Sequence, residues 1–141
     1  MDIEDLLSRF AVALGIGLLI GLERGWRERK EDEGYRTAGL RTFALSGLLG
    51  GIWGAIAKAI GDGGGGMALA AAFTVYAAIF AFFRYREIAQ EGTFGATTVV
   101  AAMLTFALGA LAVVGSIEAA AAGGVATAVL LAWKSVLHKW L

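Results

Sequence analysis

The 141-residue sequence contains no cysteine, no proline and one histidine. Without cysteine, the chain has no disulfide, no thiolate metal site and no cysteine nucleophile. The single histidine, His138, is not enough for a histidine metal site. Because proline is absent, although average usage is about 5%, we expect the helices to run without proline kinks.

Charged residues are also scarce. They make up 17% of the chain against 58% hydrophobic residues, which is more apolar side chain than a soluble domain of this length can bury. The formal net charge is zero, so bulk charge does not favour nucleic acid as a partner. We predict an integral membrane protein with the lipid bilayer as its first partner and a single domain over residues 1–141.

Five apolar runs predict an all-α membrane protein, a bundle of about five short transmembrane helices. The runs cover residues 10–22, extended by their neighbours to about 3–29, then 42–57, 67–83, 92–117 and 119–133. The last two together are too long for one crossing, and Gly115, Ser116 and Glu118 indicate a turn between them. The glycine-rich segment 61–66 predicts a flexible connection.

Basic residues determine the predicted orientation. They concentrate between helices one and two and between helices three and four, and these two connections are expected to face the cytoplasm. The N-terminus is then outside and the C-terminus in the cytoplasm. The residues are Arg24, Arg27, Arg29, Lys30, Arg36 and Arg41 in the first connection, and Arg84 and Arg86 in the second.

Glycines recur at four-residue spacing on the first two predicted helices. They are Gly17, Gly21 and Gly25 on helix one, with Gly47 and Gly51 and a second row of Gly50 and Gly54 on helix two. Helices associate in lipid by close van der Waals packing, so these glycines predict a central contact between helices one and two. The alternative use for them is a close backbone approach around an ion.

Polar groups collect at one end of the predicted bundle. Glu23 closes the apolar part of helix one, Arg41 opens helix two, and Thr97 and Thr98 begin helix four. Arg41 in a first turn opposes the helix dipole by up to about 1 kcal/mol, which suggests Glu23 as its anionic partner. Two interpretations remain open: an interfacial salt bridge with two hydroxyl caps, or a polar site that opens to the cytoplasm.

Arg9 also has two interpretations. It pairs with Asp5, one helical turn earlier, on the outer surface, or it points inward and lines a cavity.

We expect no enzymatic activity. No serine has a usable histidine and acid partner, no glycine-rich turn follows a strand to bind phosphate, and no pair of acids lies within an apolar run.

Three segments resemble parts of the N-terminal membrane domain of the MgtC/SapB family. They read GIGLLIGLERGWRE at 15–28, followed by AGLRT at 38–42, and GATTVVAAMLTFALGALA at 95–112. The ending LLAWKSVLHKWL is most similar to the branch in which this domain is fused to a second hydrophobic domain of unknown function. The resemblance implies a multi-pass protein of a bacterial inner membrane, linked to growth under magnesium limitation and, in pathogens, to virulence.

The resemblance implies a set of motif residues, matched by their position in the sequence. These are the same residues that collect at one end of the predicted bundle. They are Glu23, Arg24, Gly39, Arg41, Thr42, Thr97 and Thr98. Two positions depart from the family pattern. Phe43 stands where many members have histidine, and Val99 stands where the fused branch often has an acid. Both departures reduce the polar content of the site.

Two functions follow. The first is ion handling at this polar site, with Mg²⁺ implied by the resemblance alone and no other cofactor. An anion held by Arg24 and Arg41 fits the local charge equally, because Mg²⁺ prefers carboxylates and Glu23 is the only acid suitably placed. The alternative is a non-transporting regulatory or scaffold protein that packs through its glycines as a homodimer or against another membrane protein. The absence of an acid in the middle of any span favours this alternative.

Overall fold

The computed structural model describes residues 2–27, 39–91 and 96–140. Within these ranges the chain forms five helices, which confirms the predicted all-α bundle. They are α1 (Ile3–Arg27), α2 (Leu40–Ile60), α3 (Gly65–Glu91), α4 (Ala96–Val114) and α5 (Ile117–Trp140). The predicted turn at Gly115 and Ser116 separates α4 from α5. Four residues used above, Arg29, Lys30, Arg36 and Gly95, lie outside the described residues.

Helices α1 to α4 are each long and apolar enough to cross a membrane. At 1.5 Å per residue, the 21 residues of α2 extend about 31 Å and the 19 residues of α4 about 28 Å. Both lengths match a hydrocarbon layer of roughly 30 Å. The apolar part of α5, Ile117–Trp133, is shorter.

Helices α1 and α2 touch through their backbones, as the glycine spacing predicted. An ideal Cβ built on Gly17 would lie 2.8 Å from the Cα of Ala44, and one on Gly47 would lie 3.2 Å from the backbone nitrogen of Gly17. Gly21 faces Leu40 in the same way, with its Cβ position 3.0 Å from the Leu40 Cα. The Cβ positions of Gly17 and Gly47 lie closer still to the carbonyl oxygens of Phe43 and Ala13, at distances that only a missing side chain permits.

Two of the predicted packing glycines make looser contacts. A Cβ on Gly51 would lie 3.1 Å from the Cβ of Ala13 on α1, a contact between side chains rather than backbones. Gly25 does not take part in the close approach, since its nearest neighbour, the Leu40 nitrogen, would be 3.9 Å away.

Helix α2 uses its second glycine row against α4. A Cβ on Gly54 would lie 3.0 Å from the carbonyl oxygen of Ala110, and one on Gly50 would lie 2.9 Å from the carbonyl carbon of Phe106. On α4, Gly109 packs against the backbone of Gly47. Helix α2 is therefore held between α1 and α4, and these three helices form the centre of the bundle.

The glycine-rich connection between α2 and α3 is a short turn, with Gly65 and Gly66 already in α3, and its flexibility stays a prediction. Gly61 ends α2 with a φ of 84° and donates a hydrogen bond to the Ala57 carbonyl. Such a φ is accessible to glycine at little cost. Helix α3 begins at Gly65, whose nitrogen donates to the Gly61 carbonyl at 2.8 Å.

Helices α3 and α5 lie at the edges of the bundle. Helix α3 packs on α2 and α4, and α5 packs on α1 and α4. Both expose large apolar side chains, among them Val75, Ile79 and Phe82 on α3 and Val129 and Leu130 on α5. An apolar exterior of this extent is what contact with lipid requires, and it supports the assignment to a membrane.

Arg9 joins the beginning of α1 to the end of α4, and its predicted pair with Asp5 is confirmed. Its Nε lies 3.0 Å from Asp5 Oδ2, as predicted for a surface pair. Its Nη1 also donates to the carbonyl oxygens of Ala112 at 3.0 Å and Gly115 at 2.8 Å. A cation at a helix C-terminus satisfies carbonyls that have no partner in the helix and is favoured by the helix dipole.

Candidate functional site

The polar residues predicted from sequence meet at the end of the bundle where α1 ends and where α2 and α4 begin. Neighbouring helices in the chain run antiparallel: Gly21 of α1 faces Leu40 of α2, and Phe43 of α2 packs against Phe80 of α3. The last turns of α3 therefore reach the same end. We call this region the polar end of the bundle.

Arg24 is the central residue of the polar end. Its Nε lies 3.3 Å from Glu23 Oε2, and its Nη1 donates to Thr98 Oγ1 on α4 at 3.3 Å. The Arg24 and Glu23 side chains keep only 10% and 12% of their surface exposed, and Thr98 keeps 2%. Its Nη2 makes no hydrogen bond within the described part of the chain, so the guanidinium retains donors for another acceptor.

Three features favour the burial of Arg24. A buried ion pair offsets its desolvation only when further hydrogen bonds are made, and the hydroxyl of Thr98 accepts one from Arg24. Glu23 provides the opposite charge, although adjacent helical residues do not point the same way and the contact is long. Arg24 also lies in the last turn of α1, where the helix dipole favours a cation.

Arg41 does not join this cluster. Its side chain is exposed, and the ion pair described for Glu23 is with Arg24 and not with Arg41 as predicted. Phe43 explains the difference. It is fully buried in the core, and because a helix turns about 100° per residue, position 41 lies about 200° away on the opposite face.

Thr42 and Thr97 are half-buried, whereas Thr98 is buried. The main-chain carbonyl of Thr42 accepts a hydrogen bond from Ser46 at 2.7 Å. Thr97 lies on α4 beside Thr98, whose hydroxyl reaches Arg24. Six of the residues predicted for this site have polar side chains. Among them, the structure places Arg24 in direct contact with both Glu23 and Thr98.

The sequence pattern of the MgtC family matches residues 10–140, which is nearly the whole chain. The chain belongs to the MgtC family. Comparison with curated proteins and with solved structures gives no match. All three contacting residues of the polar end lie inside the matched range. Fusion to a second hydrophobic domain stays a prediction.

The polar end of this MgtC family member does not fit direct binding of Mg²⁺. No group of three or more histidine, cysteine, aspartate or glutamate side chains lies together within residues 2–27, 39–91 and 96–140. Mg²⁺ is bound through carboxylates and retained waters, whereas the carboxylate of Glu23 is already paired with Arg24. A guanidinium with remaining N–H donors suits an anionic oxygen instead.

Arg84 is a buried cation. From the sequence it was expected only to orient the chain in the membrane, as one of the basic residues between helices three and four. It keeps 7% of its surface exposed and lies on α3 at the polar end. Phe80, one turn earlier, keeps 6% exposed, and its ring lies 6.4 Å from that of Phe43. Positions i and i+4 share a helix face, so the inward packing of Phe80 also turns Arg84 inward. The four-residue separation from Phe80 is the signal that identifies Arg84 as an inward-facing cation.

The hydroxyl groups buried further along the bundle are bonded internally. Ser46, Thr105 and Thr127 each donate to the carbonyl four residues earlier on their own helix at 2.7 Å. Tyr76 on α3 donates to Ser46 at 2.6 Å and so joins α3 to α2. These groups do not form a polar path from the polar end through the described part of the bundle.

Proposed function

We propose that this MgtC family member is a multi-pass protein of a bacterial inner membrane that acts in ion homeostasis, including magnesium homeostasis, without catalysing a reaction. In this proposal the N-terminus is outside and the polar end faces the cytoplasm. The ion binds to Arg24, which Glu23 and Thr98 hold in place. The observation that carries the proposal is the burial of the Arg24 guanidinium, which pairs with Glu23 and, within the described ranges, keeps N–H donors for a further acceptor.

The ion is an anion with oxygen acceptors. Arg24 offers N–H groups in the planar arrangement that pairs with carboxylate or phosphate oxygens. Arg41 and Arg84 add positive charge to the same end of the bundle. A link to magnesium follows from chemistry, because Mg²⁺ binds phosphate oxygens and so competes with the arginines for such an anion.

A second candidate, a non-transporting regulatory role, is favoured by the packing of the centre. Helices α1, α2 and α4 approach at backbone distance through their glycines, and the buried hydroxyls are bonded to their own helices. An ion that crosses a bilayer needs polar groups or water along its path. A protein that binds an ion at one end and does not conduct it agrees with both the close packing of the helices and the internally bonded hydroxyl groups.

A homodimer, or a complex with another membrane protein, requires a surface other than the predicted glycines. Gly17, Gly21 and Gly47 pack inside the chain, so a leucine at position 21 would disturb the fold itself rather than association. The exposed apolar faces of α3 and α5 are the surfaces available to a partner in this proposal.

Anion binding is tested by thermal unfolding of the purified chain in detergent with sulfate or phosphate. At a tenfold excess over its dissociation constant, a ligand stabilises the folded state by about 1.4 kcal/mol. We expect this stabilisation in the native chain and not in Arg24→Gln. Arg86→Gln is the matched control, because Arg86 is an exposed arginine near the same end. Thr98→Val is a milder variant if Arg24→Gln fails to fold.

No stabilisation of the native chain by either anion, or an unchanged response in Arg24→Gln, would contradict the anion site.

Flux of Mg²⁺ and of the anion into liposomes separates the two candidate functions. A flux that Arg24→Gln abolishes indicates transport, and flux equal to that of empty liposomes indicates regulation. The role in homeostasis is tested by growth at low magnesium in a bacterial strain without MgtC family proteins. Arg86→Gln should restore growth and Arg24→Gln should not.

A further inference from the structure

A groove of about 360 Å³ runs along the outer face of α2, away from the centre of the bundle. It is lined by Thr42, Leu45, Ser46, Leu48, Leu49 and Ile52. Leu45 and Leu49 keep 57% and 38% of their surface exposed, so the groove opens toward the lipid. Its volume lies within the range of about 300–1,000 Å³ that is usual for ligand sites.

A positive charge lies at one end of the groove. Arg41 precedes Thr42 in the first turn of α2, and its side chain is exposed. Arg41, Leu45 and Leu49 follow one another at four-residue spacing and therefore share one helix face. Two ion pairs are seen among residues 2–27, 39–91 and 96–140, Arg9 with Asp5 and Arg24 with Glu23, and neither includes Arg41.

The groove has the length of one membrane leaflet. From Thr42 to Ile52 the helix advances ten residues, or about 15 Å at 1.5 Å per residue. Half of a hydrocarbon layer of roughly 30 Å is the same distance. Arg41 is the second residue of the membrane-spanning part of α2, so its long side chain can place the guanidinium at the level of the lipid headgroups.

We propose that this groove binds an anionic phospholipid, with one acyl chain along Leu45, Leu49 and Ile52 and the phosphate paired with Arg41. The match in length and the exposed cation at the headgroup end of the groove both select a lipid rather than a second protein helix. The proposal uses none of Glu23, Arg24 and Thr98, so it stands or falls independently of the anion site.

Native mass spectrometry of the purified chain with added lipid tests the headgroup contact. The probes are phosphatidylglycerol and phosphatidylcholine with identical long acyl chains. One cation near the headgroups gives an expected preference of about fivefold for phosphatidylglycerol. Arg41→Gln should remove this preference. Lys58→Gln should keep it, because Lys58 is an exposed cation at the opposite end of α2.

The acyl-chain contact is tested by filling the groove. Leu49→Trp should weaken binding of both lipids, whereas Leu130→Trp, on the exposed face of α5, should not. A short-chain phosphatidylglycerol that cannot follow the groove should bind more weakly than the long-chain lipid. An undiminished preference in Arg41→Gln, equal losses in Arg41→Gln and Lys58→Gln, or equal binding of the short-chain lipid would each overturn the proposal.

Discussion

Replacing Gly17 by alanine tests whether α1 and α2 touch through their backbones. The new Cβ would lie 2.8 Å from the Cα of Ala44 and closer still to the carbonyl oxygen of Phe43. Carbon atoms pack at about 3.5–4.0 Å, so the two helices must separate by about 1 Å to admit it. Both neighbouring atoms belong to backbone, and no side-chain rotation can relieve the contact.

Gly15 provides a matched control two residues away on the same helix. A Cβ on Gly15 has no neighbouring atom within 4 Å. Both alanine variants gain the same helix propensity, up to about 1 kcal/mol, so this contribution cancels when they are compared. Overpacking a well-packed contact costs about 1–3 kcal/mol. We therefore expect Gly17→Ala to be less stable than Gly15→Ala by about 1–3 kcal/mol.

The measurement is reversible unfolding in mixed micelles by titration with sodium dodecyl sulfate, followed by circular dichroism. Both variants should insert into membranes equally well, because neither changes the hydrophobic length of α1. If the two unfolding free energies agree to within about 0.5 kcal/mol, the usual range for surface substitutions, the backbone contact between α1 and α2 is refuted.

Three further predictions use the same unfolding measurement. Glu23→Ala should cost about 3–5 kcal/mol, because it leaves the buried Arg24 without this ion pair, and the double variant with Arg24→Ala should cost less than the sum of the two single losses. Additive losses would argue against the pair. Tyr76→Phe removes the hydrogen bond to Ser46 and should cost about 0.5–1.5 kcal/mol, and unchanged stability would contradict that contact. Arg9→Gln removes charged hydrogen bonds to carbonyls at the end of α4 and should cost about 1.5–3 kcal/mol, whereas native stability would exclude this link.

The helices and the contact of α1 with α2 could be predicted from the sequence because membrane helices leave strong signals. Long uncharged runs give the spans, and Gly115 with Ser116 gives the break between α4 and α5. Glycines at four-residue spacing allow close packing, so Gly17 and Gly47 identified the contact of α1 with α2. Glu23 is indicated by its position at the end of an apolar run, and Arg24 by the family resemblance.

The rotation of each helix could not be predicted in the same way. In a soluble protein the apolar face marks the core, but in lipid both the inner and the outer faces of a helix are apolar. Hydropathy therefore did not indicate that Arg41 points outward or that Arg84 points inward. The buried residues Phe43 and Phe80 indicate the directions of Arg41 and Arg84, but only once the packing of α2 against α3 is known.

Residue size replaces polarity as the guide to inside and outside in this bundle. On α2 the glycines at 47, 50 and 54 face other helices, whereas Leu45 and Leu49 face outward. Since α1, α2 and α4 are packed at backbone distance, none of them can move against another without losing these contacts. An anion bound at Arg24 therefore has little scope to rearrange the centre. Helix α3 packs less closely and buries Arg84 at the same end, so we expect a response to the anion to be carried by α3.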